Sequence, residues 1–109
     1  CGFVPVFVDI ELDSLNLNIE QVEQAAKDGA KVLVFAHVLG NPPNMDEIMR
    51  IVNEYDLILL EDCCDALGST YKGKILGSFG EFSTCSFYVD LLVLPGPPYD
   101  YGRGWICCM

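Results

Sequence analysis

The sequence predicts an α/β fold with a mostly parallel sheet. Two observations lead to this prediction: short apolar runs typical of buried strands, and segments of helical period between them. The apolar runs are residues 4–10, 31–36 and 57–60, and the helical segments are residues 19–28 and the stretch after Asn44. Strand and helix therefore alternate as in a βαβαβ unit, whose strands are parallel and whose crossovers are right-handed.

Both predicted helices have recognisable starts. Asn18 stands three residues before Gln21, and Asn44 stands three residues before Glu47. This is the spacing of a capping box, in which the first side chain accepts a hydrogen bond from the third backbone N–H of the helix. Helix starts at these two positions are therefore expected.

The remaining segments are assigned from their composition. Residues 31–36 are continuously apolar after Lys31, which predicts a strand buried on both faces. Residues 71–74 have the composition of a tight hairpin turn, and residues 83–88 are expected to form a further strand. No packed element can be assigned to the segment that follows.

Composition limits the classes of function. The chain has 109 residues, of which 51% are hydrophobic, so it is one small domain or a piece of a larger one and not a disordered segment. A net charge of −10 argues against nucleic acid as a partner, because phosphate binding needs clustered Lys and Arg. No apolar run approaches the roughly 18 residues of a membrane helix, so no membrane partner is expected.

The six cysteines match no zinc pattern and include no CxxC pair. We expect reduced thiols in a cytoplasmic protein and no metal site. The chain lacks the basic segment of a signal peptide and opens in the middle of a strand pattern, which suggests a fragment.

Candidate site residues follow the apolar runs. Asp62 follows the run 57–60 after Glu61, at the edge where open α/β sheets bind ligands. Its carboxylate could face a cation such as a protonated ring nitrogen, or could be an ordinary surface or capping acid. Asp65 could share that pocket or be a helix N-terminal acid. His37, the only histidine, is expected to face the same crevice, either as a catalytic or as a structural residue.

The chain resembles the DegT/StrS-type nucleotide-sugar aminotransferases through four motifs: EDCCDALGS at 61–69, YKGK at 71–74, GSFG at 77–80 and SFY at 86–88. Those enzymes use pyridoxal phosphate and have the aspartate aminotransferase fold. The resemblance implies a fragment of their three-layer α/β/α large domain. Residues 1–90 would be the partial cofactor-binding domain, and residues 91–109 a divergent or truncated tail.

Two details resemble one branch of that family, the CDP-4-keto-6-deoxyglucose 3-dehydrases. They are AHVLGNP at 36–42 and the Cys-Cys-Asp that ends at Asp65. This branch uses pyridoxamine phosphate to remove a sugar 3-hydroxyl in the synthesis of lipopolysaccharide dideoxysugars. An aminotransferase of the same family and a non-catalytic remnant are the alternatives. Aminotransferases of the family usually carry Gln where this chain has Asp65.

The resemblance also implies roles for single residues. Asp62 would pair with the pyridinium nitrogen, Asp65 would lie near the ring 3-oxygen, and Ser86 would contact the cofactor phosphate. Leu91 stands where the family has its catalytic Lys or His, so no catalytic residue is assigned and the chain alone is expected to be inactive. The parent enzyme would bind a nucleotide sugar, form a homodimer and, as a dehydrase, use a partner reductase.

Overall fold

The computed structural model describes residues 2–86 and 105–108. It contains two α-helices, α1 (Ile19–Lys27) and α2 (Met45–Tyr55), and a short 3-10 helix at Val38–Gly40. Its strands, in chain order, are β1 (Val32–Ala36), β2 (Ile58–Asp62), β3 (Thr70–Tyr71), β4 (Lys74–Ile75), β5 (Phe82–Ser86) and β6 (Trp105–Cys108).

The main sheet has the strand order β1-β2-β5-β6. Strands β1, β2 and β5 are parallel, and β6 pairs antiparallel with β5. Helix α2 makes the crossover between β1 and β2, as parallel neighbours require. The prediction of an α/β fold with a mostly parallel sheet is therefore confirmed. Strand β6 lies in the stretch to which the sequence analysis assigned no element.

Both predicted helix starts are confirmed. The side chain of Asn18 accepts a hydrogen bond from the backbone N–H of Gln21, and that of Asn44 accepts one from Glu47. In α1 the second half of the capping box is not made, because the Gln21 side chain accepts from the N–H of Asp9 at 2.7 Å. Helix α1 ends within one residue of its predicted limit.

The predicted strand at residues 4–10 is wrong. Residues 3–9 have no regular secondary structure, and Ile10 forms only an isolated bridge with Leu17. A strand needs a hydrogen-bonded neighbour, and a groove of about 700 Å³ lies between residues 3–8 and β1. The segment has the apolar composition of a strand, but the partner strand that its pairing needs is not among the described residues.

The two helices pack on one face of the sheet and form a single core with it. The buried members of this core are Val22, Ala26, Phe35, Met45, Ile48, Ile51, Val52, Leu57 and Leu59. On the opposite face, Val34 is 60% exposed and Ile58 is 46% exposed. The prediction that residues 31–36 are buried on both faces is therefore wrong for the described residues, because no second layer covers that face.

The predicted hairpin turn at residues 71–74 is confirmed as the β3–β4 hairpin. Its two central residues, Lys72 and Gly73, have φ of 49° and 83°, which is the left-handed pair of a type I′ turn. Lys72 forms an ion pair with Asp46, and the Lys74 ammonium lies 4.2 Å from the centre of the Phe79 ring. Neither lysine is buried. Among the described residues no helix is long and apolar enough to span a membrane.

Candidate functional site

The carboxyl ends of the three parallel strands meet at one edge of the sheet. In the strand register, Ala36 of β1 lies opposite Asp62 of β2, which lies opposite Thr84 of β5. Ser86 ends β5 two residues further on and is buried. The structure therefore brings Asp62 and Ser86, two of the three predicted cofactor-binding residues, to the same edge.

Asp62 is half-buried and held by donors from two elements. Its Oδ1 accepts hydrogen bonds from the backbone N–H of Cys64 at 3.0 Å and from the hydroxyl of Thr84 at 3.3 Å. Burial by itself would raise the pKa of Asp62. Hydrogen bonds from the Cys64 thiol and N–H and from Thr84 outweigh burial, and the pKa is lowered. The carboxylate is therefore ionised at neutral pH, and Oδ2 receives neither of the two hydrogen bonds that end on Oδ1.

Asp65, the third predicted residue, lies in the loop after β2 and is exposed. The loop after β1 packs close to this segment: a Cβ placed on Gly40 would lie 3.0 Å from Ser69 Oγ and 3.5 Å from the carbonyl oxygen of Asp65. Gly40 has φ of 75°, a left-handed conformation that favours glycine. The loops after β1 and β2 are thus in contact beside the edge that carries Asp62.

His37 does not face an open crevice with Asp62, so that expectation is wrong. The ring is fully buried, and Nε2 lies 2.9 Å from Oε2 of Glu61. Its backbone N–H donates a hydrogen bond of 3.0 Å to the carbonyl oxygen of Asp62. Nδ1 has no hydrogen-bond partner among the described residues. Of the two roles that the sequence left open for His37, the structure favours the structural one.

Glu61, beside Asp62, is the buried residue of this region that the sequence patterns did not single out. It is fully buried, and Oε1 accepts hydrogen bonds from the backbone N–H of Phe79 at 2.7 Å and Gly80 at 2.8 Å. Oε2 accepts from the N–H of Gly77 at 2.9 Å and contacts His37. Burial would raise the pKa of Glu61, but these hydrogen bonds lower it. We call this group, Glu61 with His37 and the 77–80 turn, the Glu61 clamp.

The sequence did contain a signal for the Glu61 clamp. Side chains alternate between the faces of a strand, so Glu61 shares a face with Leu57 and Leu59, both in the core. A carboxylate on a core face needs several donors. The GSFG turn at residues 77–80 supplies three of them from its backbone.

Cys63 lies next to the Glu61 clamp and is buried. Burial, followed by the charges of Glu61 and Asp62, raises its pKa to about 12. Ligand atoms of His37, Glu61 and Cys63 lie within 4.8 Å of one another, which is close enough to hold a metal ion. Both oxygens of Glu61 are already engaged by N–H donors, however. The arrangement is therefore that of a hydrogen-bonded network.

The solved structures that match this fold are pyridoxal-phosphate enzymes of fold type I. A crystal structure of GDP-4-keto-6-deoxymannose-3-dehydratase with bound GDP-perosamine matches with a TM-score of 0.70 and 43% identity, over 75% of this chain and 21% of that one. The aminotransferase from Psychrobacter cryohalolentis matches with a TM-score of 0.73 and 37% identity, over 79% of this chain and 22% of that one.

The chain belongs to the DegT/DnrJ/EryC1/StrS aminotransferase family, whose model matches residues 1–91. The lipopolysaccharide biosynthesis protein RfbH of Salmonella typhimurium is 46% identical over 80% of this chain and 20% of its own length. The dTDP-4-dehydro-2,6-dideoxy-D-glucose 3-dehydratase of Saccharopolyspora spinosa is 47% identical over 80% of this chain and 19% of its own length. The chain therefore spans about a fifth of the length of these relatives.

These comparisons confirm the family, the fold and the family's cofactor as they were predicted. The relatives include pyridoxal-phosphate-dependent sugar dehydratases and aminotransferases. One solved relative, the Escherichia coli GDP-4-keto-6-deoxy-D-mannose-3-dehydratase, holds the hydrated cofactor. The roles of Asp62, Asp65 and Ser86 in this chain stay predictions, as does the absence of a catalytic residue at Leu91, which lies outside the described residues.

Proposed function

We propose that this chain is part of the cofactor-binding domain of a nucleotide-sugar 3-dehydratase, which removes the 3-hydroxyl of a 4-keto-6-deoxysugar. The observation that supports a cofactor site is the ionised carboxylate of Asp62 at the carboxyl end of a parallel strand. Relatives named as 3-dehydratases, at 47% and 45% identity, support this reaction. Relatives named as GDP-perosamine synthases are only 32–34% identical.

The residues at the edge fit pyridoxal or pyridoxamine phosphate. The ionised carboxylate of Asp62, whose Oδ2 receives neither hydrogen bond that holds Oδ1, suits a protonated ring nitrogen. We assign Ser86, at the end of β5, to the phosphate, and Asp65, in the loop after β2, to the neighbourhood of the ring 3-oxygen. When bound, the cofactor supplies a cationic ring that accepts electron density from the substrate.

The protein side chains have separate tasks in this proposal. Asp62 holds a proton on the ring nitrogen, because an ionised carboxylate stabilises the protonated form of a neighbouring base. Cys64 and Thr84 keep Asp62 ionised by donating hydrogen bonds to it. Leu91 can neither bind the cofactor covalently nor transfer a proton. We therefore expect no turnover by the 109-residue chain.

The first experiment measures cofactor binding to the 109-residue chain. Pyridoxamine phosphate is titrated into the protein while backbone amide NMR signals of the 58–86 region are followed. Asp62→Asn removes the charge and is expected to weaken binding by roughly tenfold or more, the usual worth of one charge-assisted hydrogen bond. Asp13→Asn, at an exposed position, is the matched control. Equal affinity of the two variants would contradict the role of Asp62.

An aminotransferase of the same family is the second candidate, and the Psychrobacter structure at 37% identity favours it. The dehydratase and the aminotransferase proposals are distinguished by grafting residues 1–86 into the Escherichia coli 3-dehydratase in place of its matching segment. We expect the chimera to dehydrate its sugar, and Asp65→Gln in the graft to reduce dehydration. A chimera that transaminates and does not dehydrate would favour the aminotransferase.

CDP-4-keto-6-deoxyglucose is the substrate that we propose, because residues 36–42 and 63–65 resemble the enzymes for that sugar. The 3-dehydratases among the relatives are named for dTDP- and GDP-linked sugars, so they support the sugar chemistry and leave the nucleotide to experiment. Competition among CDP-, GDP- and dTDP-linked sugars for binding to the full-length enzyme tests which nucleotide it prefers. We further propose that the full-length enzyme is a cytoplasmic homodimer that works with a partner reductase.

A further inference from the structure

Thr84 has no role in the sequence patterns, yet it contacts the central residue of the candidate site. It lies directly opposite Asp62 in the parallel register of β2 and β5. Its hydroxyl donates to Oδ1 of Asp62 at 3.3 Å. Its carbonyl oxygen accepts a hydrogen bond of 2.8 Å from the N–H of Cys63, the residue that follows Asp62. Thr84 therefore holds Asp62 by its side chain and the next residue by its backbone.

The two donors to Asp62 Oδ1 differ in what they fix. The Cys64 N–H, two residues along the chain, ties the carboxylate to its own turn. The Thr84 hydroxyl comes from a neighbouring strand and ties the carboxylate to β5. Strand β5 also carries Ser86 at its end. Of these two contacts, the one from Thr84 therefore fixes the carboxylate relative to the strand on which the phosphate-binding residue is proposed.

We propose that Thr84 is a positioning residue whose hydroxyl orients the Asp62 carboxylate against β5 and keeps Oδ2 available for a cationic ring nitrogen. The nature of that cation rests on the proposed function, whereas the orientation of Asp62 does not. An alternative role for Thr84 is that of a β-branched residue that favours a strand. Valine would fill that role equally well, so the two roles predict different results for one substitution.

The test compares Thr84→Val, which keeps the shape and loses the hydroxyl, with Thr84→Ser, which keeps the hydroxyl. The pKa of Asp62 is measured by carbon NMR of its carboxyl group in the 109-residue chain without cofactor. We expect Thr84→Val to raise that pKa by about half a unit to one unit, the worth of one hydrogen bond to the ionised form. Thr84→Ser is expected to leave it near its original value.

Several outcomes would overturn the proposal. An unchanged pKa of Asp62 in Thr84→Val is one, and an equal shift in Thr84→Val and Thr84→Ser is another. The other titratable groups that act on Asp62, Cys64 in the following turn and His37 at the end of β1, are the same in both variants. Thr84→Ala, a second substitution without the hydroxyl, provides the same comparison where Thr84→Val does not fold.

A second readout separates this inference from the proposed function. Pyridoxamine phosphate is titrated into the same variants, and Thr84→Val is expected to bind it several-fold more weakly than Thr84→Ser does. Failure of every variant, including the unchanged chain, to bind the cofactor would contradict the proposed function and leave the pKa result standing. Binding that is equal in all variants, together with an unchanged Asp62 pKa, would overturn the role of Thr84.

Discussion

At the scale of single residues, Glu61 connects more of the molecule than any candidate that the sequence singled out. One carboxylate joins the end of β2, the histidine that follows β1 and the turn that precedes β5. Because Asp62 is its neighbour on β2, the position of the candidate site depends on this buried group. A buried carboxylate is stable only where its donors are in place, so the Glu61 clamp also fixes the three segments relative to one another.

Glu61→Gln is expected to destabilise the protein although the two side chains have the same shape. Either orientation of the amide places its NH2 group against N–H donors, those of Phe79 and Gly80 or those of Gly77 and His37. The expected loss in the free energy of unfolding is about 1–3 kcal/mol, measured by urea denaturation. Glu11→Gln, at an exposed position, is expected to stay within about 0.5 kcal/mol. Similar losses in the two variants would contradict the clamp.

Glu61 and Asp62 also predict how stability depends on pH. The pKa of each is lowered in the folded state, so the unfolded chain binds more protons in the acid range and stability rises with pH there. The stabilisation is present above the unfolded-state pKa values of about 4 and is lost as pH falls through the folded-state values. Urea titrations between about pH 6 and pH 3 should show this decline, with a smaller slope in Glu61→Gln. Equal slopes would refute the assignment to Glu61.

At the scale of secondary-structure elements, the turn at residues 77–80 is built around its glycines. A Cβ on Gly80 would lie 2.5 Å from the carbonyl oxygen of Leu59, which leaves no room for any side chain. Gly77 has φ of 86°, and a Cβ there would lie 2.9 Å from the Cys63 sulfur. Both glycines donate their N–H groups to Glu61. The close approach of this turn to β2 is therefore what lets the buried carboxylate be satisfied.

Gly80→Ala and Gly68→Ala separate steric clash from backbone strain. Gly68 has φ of 81° but no atom within 4 Å of the added Cβ, so alanine there is expected to cost about 1 kcal/mol in conformational strain. Gly80→Ala must displace the β2 backbone and weaken the Glu61 hydrogen bonds. We therefore expect it to lower the free energy of unfolding by at least twice as much as Gly68→Ala does. Thermal unfolding of both variants measures the difference. A milder effect at Gly80 would show that the turn does not pack against β2 in this way.

Local sequence patterns correctly predicted the elements whose determining residues lie close together in the chain. The capping residues Asn18 and Asn44 and the turn residues of the β3–β4 hairpin act within a few positions, so their structures could be read from neighbouring letters. The prediction of a strand at residues 4–10 was wrong because a strand depends on a partner that cannot be identified from the local sequence. The same reason explains Thr84, whose contact with Asp62 spans 22 positions and exists only in the register of β2 and β5.

At the scale of the whole molecule, the described chain has one covered and one open side. Helices cover one face of the sheet, while Val34 and Ile58 on the other face and most of residues 3–7 are exposed. The sequence predicted a sheet buried on both sides because its strands have the composition of such a sheet. That composition fits the longer relatives, of which this chain spans about a fifth. The open surfaces are therefore where further protein is expected to pack.

The isolated 109-residue chain is accordingly expected to self-associate through the groove between residues 3–8 and β1. This groove, of about 700 Å³, is lined almost entirely by apolar side chains and runs beside an edge of β1 that pairs with no other described strand. Exposed apolar surface next to a free strand edge favours association between copies. Sedimentation velocity over a range of concentrations should show species larger than a monomer.

Two substitutions to aspartate test whether this self-association takes place through the groove. Phe7 is 91% exposed and lines the groove, whereas Leu12 is 89% exposed and does not line it. Phe7→Asp places a charge in the apolar groove and is expected to shift the chain toward the monomer and to reduce its binding of an apolar fluorescent dye. Leu12→Asp adds the same charge at nearly the same exposure and is expected to change neither. Equal effects of the two variants would mean that net charge, and not the groove, governs the association.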